Sequence, residues 1–185
     1  MDPPAQKMFL ENPHEFATAA VSVIKGKLAD QLIEGIQYEK INEWYEMSQF
    51  EDIEAWGDYL VPAQWSAYDY VICDSDTERE FVQGLEKRQD VKLYVKLPSW
   101  FTLPTPIGTY NPDWAIVLED RDDHGNPTGK PCLYLVRETK DKTDLQKLRP
   151  EEKRKIECGR RHFKDALGVD FKVVTSASDL PDGGV

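Results

Sequence analysis

The chain has little of what staples or anchors a small protein. Its three cysteines, Cys73, Cys132 and Cys158, are scattered, with no Cys-x-x-Cys spacing. Its three histidines, His14, His124 and His162, are equally dispersed. These absences argue against structural zinc and a disulfide framework, and they point to a reducing compartment. There is no apolar run of membrane-spanning length and no secretory pattern, so a cytoplasmic protein with no membrane partner is expected. Internal repeats and low-complexity tracts are also missing. Nucleotide signatures are no better represented. Gly125 to Lys130 contains Gly-x-x-x-Gly-Lys, but the spacing is short for a phosphate loop and Pro131 stands where Ser or Thr belongs. No Gly-x-Gly-x-x-Gly or Gly-x-Ser-x-Gly occurs, and ATP binding through a Walker motif is not expected.

What is present fits one domain, or one domain with a helical extension, large enough for a sizeable core at 185 residues. The net charge of −11 looks wrong for a protein that touches nucleic acid. Its distribution says more. From Arg137 to Lys164 there are eleven Lys or Arg against six Asp or Glu, a local balance of +5 in an otherwise strongly acidic chain. A local basic patch is the usual footprint of nucleic-acid contact, although a solvated helix face has the same composition. The overall acidity predicts weak DNA affinity for this piece alone.

Residues 1–70 read as a helical extension or docking segment. Asn12-Pro13-His14-Glu15 is a helix start, and Phe16, Ala20, Ile24, Leu28, Leu32 and Ile36 recur at helical spacing. Ser48 to Glu51 opens a shorter helix toward Leu60. Residues 71–185 read as the functional core. Ser75 to Glu78 starts a helix carrying Phe81, Val82 and Leu85, and Val91 to Leu97 alternates as a half-exposed strand does. Trp114 to Leu118 and Cys132 to Val136 are β-prone runs separated by polar turn formers, which predicts a hairpin. Pro150 to Leu167, ended by Gly168, reads as a helix with Ile156, Phe163 and Leu167 toward the core; Val169 to Val174 is a last strand. The class is α/β, with a mixed sheet of about four strands flanked by helices.

The chemistry concentrates at the open end of that hairpin. Asn111-Pro112-Asp113 precedes its first strand and Glu138-Thr139-Lys140 ends its second. The midpoint of Asp113 and Glu138 falls between Gly125 and Asn126, inside the turn, so an antiparallel pairing sets Asp113 level with Glu138. Glu138 and Lys140 are two apart and share a face, about 6.6 Å apart along the strand. Two carboxylates and a lysine at one point suit metal-assisted phosphodiester hydrolysis. A hard cation such as Mg²⁺, with Mn²⁺ as a substitute, takes oxygen ligands and needs one or two carboxylates. Asp113 and Glu138 are the candidate ligands, and the backbone carbonyl of Thr139 is a further one. Lys140 would orient the attacking water or stabilise developing negative charge. On the earlier helix opened by Ser75, Glu78 shares a face with Phe81, Val82 and Leu85 and is preferred to Glu80 as a third metal carboxylate; with Ser75 it equally forms a capping box. Lys142 and Lys155 are candidate DNA contacts. His162, before Phe163, reads as a packing or polar-edge residue rather than a base.

At these residues the chain resembles the PD-(D/E)XK nuclease superfamily, and more narrowly the C-terminal endonuclease domain of the Res subunit of type III restriction enzymes. The resemblance runs through Asp74 to Glu78 with Phe81, Lys96-Leu97-Pro98, Thr105 to Trp114, Tyr134 to Lys140, Lys155 to Cys158, and His162-Phe163. It implies a restriction-endonuclease-like core over 71–185, Asp113 and Glu138 as metal ligands, Lys140 as the catalytic lysine and Glu78 at the family's helical acidic position. It further implies a bacterial enzyme that cuts double-stranded DNA with Mg²⁺. Its partners would be an ATP-driven motor region in the same Res subunit and a Mod methyltransferase subunit that reads the target. Motor motifs are missing here, as expected of an excised nuclease domain, and Asp141 stands where many relatives have glycine. A non-catalytic interaction module retaining a nuclease fold is the alternative. A two-carboxylate glycosidase would leave Lys140 and the basic segment without a role.

Overall fold

A mixed four-stranded sheet carries the main core, with Val91–Lys96, Trp114–Leu118, Leu133–Thr139 and Asp170–Val174 in that spatial order. The structure is a computed structural model that describes residues 7, 9–39, 60–122, 124, 126–128, 133–139 and 148–181, with 133–138 as backbone. Its elements are α1 (Pro13–Gly35), β1 (Leu60–Pro62), β2 (Tyr70–Ile72), α2 (Asp76–Glu86), β3 (Val91–Lys96), β4 (Leu103–Thr105) and β5 (Gly108–Tyr110). There follow β6 (Trp114–Leu118), β7 (Leu133–Thr139), α3 (Pro150–Arg160), a π-helical segment (Arg161–Ala166), β8 (Asp170–Val174) and a 3₁₀ turn (Ala177–Asp179). The expected helix from Ser48 lies outside the described residues. Among those described, no helix is long and apolar enough to cross a membrane.

Strand order follows from the connections. β6 and β7 pair antiparallel from Trp114 opposite Arg137 to Leu118 opposite Leu133. In the turn between them, Asp122 Oδ1 accepts the backbone N–H of His124 (2.9 Å) and Asn126 (2.8 Å), the local closure for which Asp is suited. β8 joins β7 in parallel, which requires a crossover, and α3 with the π segment supplies it. β6 alternates buried and half-buried residues, so Trp114, Ile116 and Leu118 face one side. On that side α2 brings Phe81, Val82 and Leu85, and Phe81 meets the Trp114 ring at 5.5 Å. Ser75 caps α2 by accepting the Glu78 N–H (3.2 Å). On the opposite face a smaller cluster unites Leu103, Tyr110, Phe163 and Phe171, with the last two rings stacked at 5.8 Å.

Three local expectations are corrected. In β3 the register slips between Val91 and Leu93, a bulge that inverts the alternation. Leu93 is therefore exposed, while Tyr94 is fully buried against Trp114. In α1 the stripe containing Ile24, Leu28 and Leu32 is exposed, and Ala29 and Ile33 are buried instead. The α1–α3 contact includes Arg154 donating to Asp30 Oδ1 (2.7 Å). Finally, the predicted helix to Leu167 loosens after Arg160. Leu167 N reaches back five residues to His162 O (3.2 Å), and this wider turn carries Leu167 to the surface while Phe163 stays buried. Gly168, at φ 68°, ends the segment as anticipated.

Candidate active site

Asp113 is held from three directions at the open end of the hairpin. Asn111 Nδ2 donates to the carbonyls of Pro98 (3.2 Å) and Phe101 (2.7 Å), which fastens the loop entering the site. Leu97 N donates to the Asp113 carbonyl (2.8 Å) and extends the β3–β6 pairing past its last strand residue. The side chain is fixed from β7. Asp113 Oδ2 accepts the Thr139 backbone N–H (2.7 Å) and the Thr139 hydroxyl (2.9 Å). That hydroxyl in turn accepts the indole N–H of Trp114 (3.2 Å). The buried Thr139 thus links a core tryptophan to the carboxylate beside it, and both of its own polar functions are satisfied.

The hairpin register places the backbones of Asp113 and Glu138 side by side. Continuing the Trp114–Arg137 pairing by one residue sets Asp113 level with Glu138, whose other backbone neighbour is Val173 of β8. Lys140 and Lys142 lie outside the described residues. Among those described, no group of three or more His, Cys, Asp or Glu stands ready to hold a metal ion.

Glu78 sits at the same end of the sheet but is occupied. Its Oε2 accepts the Asp74 backbone N–H (2.7 Å) and the Lys96 ammonium (2.7 Å). Lys96 also donates to Asp74 Oδ2 (2.5 Å) and to the Ile72 carbonyl (3.1 Å). Lys96 is the register partner of Trp114, one residue from Asp113. Burial alone would lower its pKa, but the hydrogen bonds and negative charge of Asp74 and Glu78 outweigh it, so Lys96 titrates above the ordinary lysine value. The same surroundings push the Cys73 thiol up to about 11, burial first and the Glu78 charge next, so this cysteine is no thiolate nucleophile at neutral pH. Glu80 is exposed to solvent.

Lys155 lies on α3 with its ammonium beside Gly108, at the turn of the β4–β5 hairpin. His162 packs edge-on against Tyr38 and Phe163, each ring 4.9 Å away, and burial holds its pKa below the usual histidine value. It is a packing residue, as its position before Phe163 suggested.

Two side chains at this site were not singled out for it from sequence. The Thr139 side chain had a signal: a hydroxyl between Glu138 and Lys140, on the strand facing Asp113. Lys96 had none in simple alternation, because the β3 bulge decides which face it takes.

No curated protein and no solved structure matches the chain. Residues 64–177, most of the described sheet together with α2 and α3, match the family model RE_endonuc, "Endonuclease domain", and the chain belongs to that endonuclease family.

Proposed function

We propose that the chain is an Mg²⁺-dependent endonuclease domain that hydrolyses phosphodiester bonds of double-stranded DNA, the cutting module of a type III restriction enzyme. Family membership makes it a nuclease acting on DNA. The observation that carries the finer reading is the anchoring of Asp113 by Thr139, at the point where the hairpin register brings Glu138 level with it. This is a PD-(D/E)XK arrangement on a restriction-endonuclease-like core, preceded by a docking extension that carries α1.

The donor set suits a hard divalent cation. Asp113 and Glu138 supply carboxylates and Thr139 a backbone carbonyl, with Glu78 as a further ligand beside Lys96; all are oxygen donors. Bound there, Mg²⁺ or Mn²⁺ supplies Lewis-acid polarisation of the phosphoryl oxygen and a lowered pKa for water. The chain does the rest. Thr139 holds Asp113 in one orientation, so no reorganisation is needed when substrate arrives. Lys140 donates through Nζ, either to the attacking water or to the phosphate oxygens that gain charge. Lys142 and Lys155 contact the DNA backbone. ATP use belongs to a motor region of the Res subunit and sequence reading to a Mod methyltransferase partner, in the cytoplasm of a bacterium.

The test is plasmid cleavage by the chain, alone and within its parent subunit complex, with and without Mg²⁺. Asp113→Asn and Lys140→Ala should each lower cutting by about 100-fold or more. Cutting that survives chelation, or that both variants perform like the parent, would sink the assignment.

A further inference from the structure

Among the described residues, Lys96 is a fully engaged cation at the open end of the sheet. Its ammonium has three N–H donors and meets three oxygens: Ile72 O, Asp74 Oδ2 and Glu78 Oε2. The Lys96 side chain is 21% exposed and that of Glu78 13%, so neither charge is bathed in water, whereas Asp74 is 77% exposed. A carboxylate as buried as Glu78 requires a positive partner. Lys96 is that partner.

A divalent cation held by Asp113 and Glu138 would be a second claimant on the same carboxylate. Lys96 is paired with Trp114, and the next residue, Leu97, donates to the Asp113 carbonyl, so both cation positions lie at one end of β3 and β6. Glu78 Oε2 already takes two donors, Lys96 Nζ and the Asp74 N–H. A metal that draws on Glu78 either displaces the ammonium or shares the carboxylate with it through Oε1, and in both cases meets its positive charge.

We infer that Lys96 is a positioning residue that competes with the divalent cation for Glu78, compensating that carboxylate before metal arrives and setting how tightly metal is held. This rests on the nuclease reading of Asp113, Glu138 and Glu78. It assigns Lys96 no contact with the phosphate. The clamp makes the metal-free state stable and makes metal binding weaker than the carboxylates alone would give.

The experiment uses the full chain and Ca²⁺, which takes oxygen ligands like Mg²⁺ and reports binding apart from cutting. Affinity is measured by calorimetry, and the Ca²⁺-induced rise in melting temperature is recorded beside it. Lys96→Met, which keeps the stem and removes the charge, should bind Ca²⁺ about tenfold more tightly than the parent, the size of a typical coupling between two ligands. It should melt lower without Ca²⁺ and gain more on adding it. Lys96→Arg should restore near-parental affinity. In a Glu78→Gln background the gain from Lys96→Met should vanish. If Lys96→Met does not fold, Glu78→Gln alone still decides, because it should weaken Ca²⁺ binding several-fold. Unchanged affinity in Lys96→Met, a gain that persists without Glu78, or parental affinity in Glu78→Gln each overturns the inference. Asp113→Asn separates the layers. If Ca²⁺ binding is absent, or indifferent to Asp113, the metal reading of the site falls and takes the Lys96 role with it. If binding needs Asp113 but ignores Lys96, only the clamp is wrong.

Discussion

The two faces of the central sheet are built differently. On the α2 face, Trp114, Tyr94, Phe81, Val82 and Leu85 are all fully buried, and the charge beside them is resolved by the Lys96 clamp. On the α3 face the buried cluster is smaller, Leu103, Tyr110, Phe163 and Phe171, and the helix above it is crowded with cations. Several of those cations are tied down at its surface: Arg154 to Asp30, and Arg160 and Arg161 to Glu157. Exposed pairs of that kind add little stability. One face therefore concentrates the packing energy and the other concentrates positive charge. Asp113 stands at the boundary, its carboxylate anchored through Thr139 to a tryptophan of the packed face.

If this division is right, the largest loss of stability comes from the α2 face. Trp114→Ala removes a fully buried indole and the donor that Thr139 uses, and should cost about 3–5 kcal/mol by denaturant unfolding. Phe171→Ala should fall at the low end of that range, about 3 kcal/mol, because its cluster has fewer buried neighbours to lose. Equal losses, or a larger one at Phe171, would break the comparison. Trp114→Phe sharpens it. Most of the packing stays, the Thr139 hydroxyl loses its donor, and a loss of only about 1 kcal/mol is expected.

Each face also has one glycine where a helix approaches its neighbour closely. A methyl group at Gly159 of α3 would overlap the Tyr110 ring and come within 3.2 Å of Phe171 Cζ. At Gly84 of α2 it would come within 2.6 Å of the Ala177 Cβ. Alanine gains roughly 1 kcal/mol over glycine in a helix, and overpacking costs roughly 1–3 kcal/mol. The balance depends on what can move. Tyr110 and Phe171 are buried rings packed edge to face, 6.2 Å apart, and have nowhere to go. The Ala177 Cβ moves only with its backbone, which Arg88 holds through the Ala177 (3.2 Å) and Pro181 (2.7 Å) carbonyls, so it meets the new methyl at one point without much give. Both substitutions should therefore destabilise by about 1–3 kcal/mol, Gly159→Ala the more because its methyl meets two rings. Thermal melts of the two variants check the order.

The same comparison explains what was legible in the sequence. Whatever rests on local chemistry was readable: the Asn12 and Ser75 caps, the hairpin with its Asp122 turn, and the register that sets Asp113 level with Glu138. Turn length and strand period determine these without help from distant residues. What failed depended on tertiary contact. The bulge in β3 exchanges Leu93 for Tyr94 because Tyr94 finds Trp114 within reach and places its hydroxyl on Glu86 Oε1 (2.7 Å). The buried stripe of α1 is decided by α3, since α1 is apolar on more than one side. Lys96 faces Glu78 as a consequence of the bulge, so its place at the site could not be read from alternation. The short pairs β1–β2 and β4–β5 were also missed, being three-residue strands broken by Pro62 and Pro104.

The smallest effect on stability should come from the charged face, and it is the one that separates charge for binding from charge for folding. Lys155 is half-buried by its stem, with its ammonium at the Gly108 turn. Lys155→Ala should leave unfolding within about 0.5 kcal/mol of the parent, as surface substitutions do. If that ammonium meets a DNA phosphate, its loss should weaken duplex binding for every sequence alike and lower the slope of log affinity against log salt by about one. Fluorescence anisotropy with a short duplex, in Ca²⁺ and over a series of salt concentrations, gives that slope. Lys92→Ala is the matched control. Lys92 is a β3 lysine already paired with Glu119 at 2.6 Å, so removing it should leave the slope where it was. A drop in both variants would mean the measurement reads only overall charge. A drop in neither, with stability lost at Lys155, would make the cations of α3 part of the fold, and DNA contact would then have to be sought on another surface.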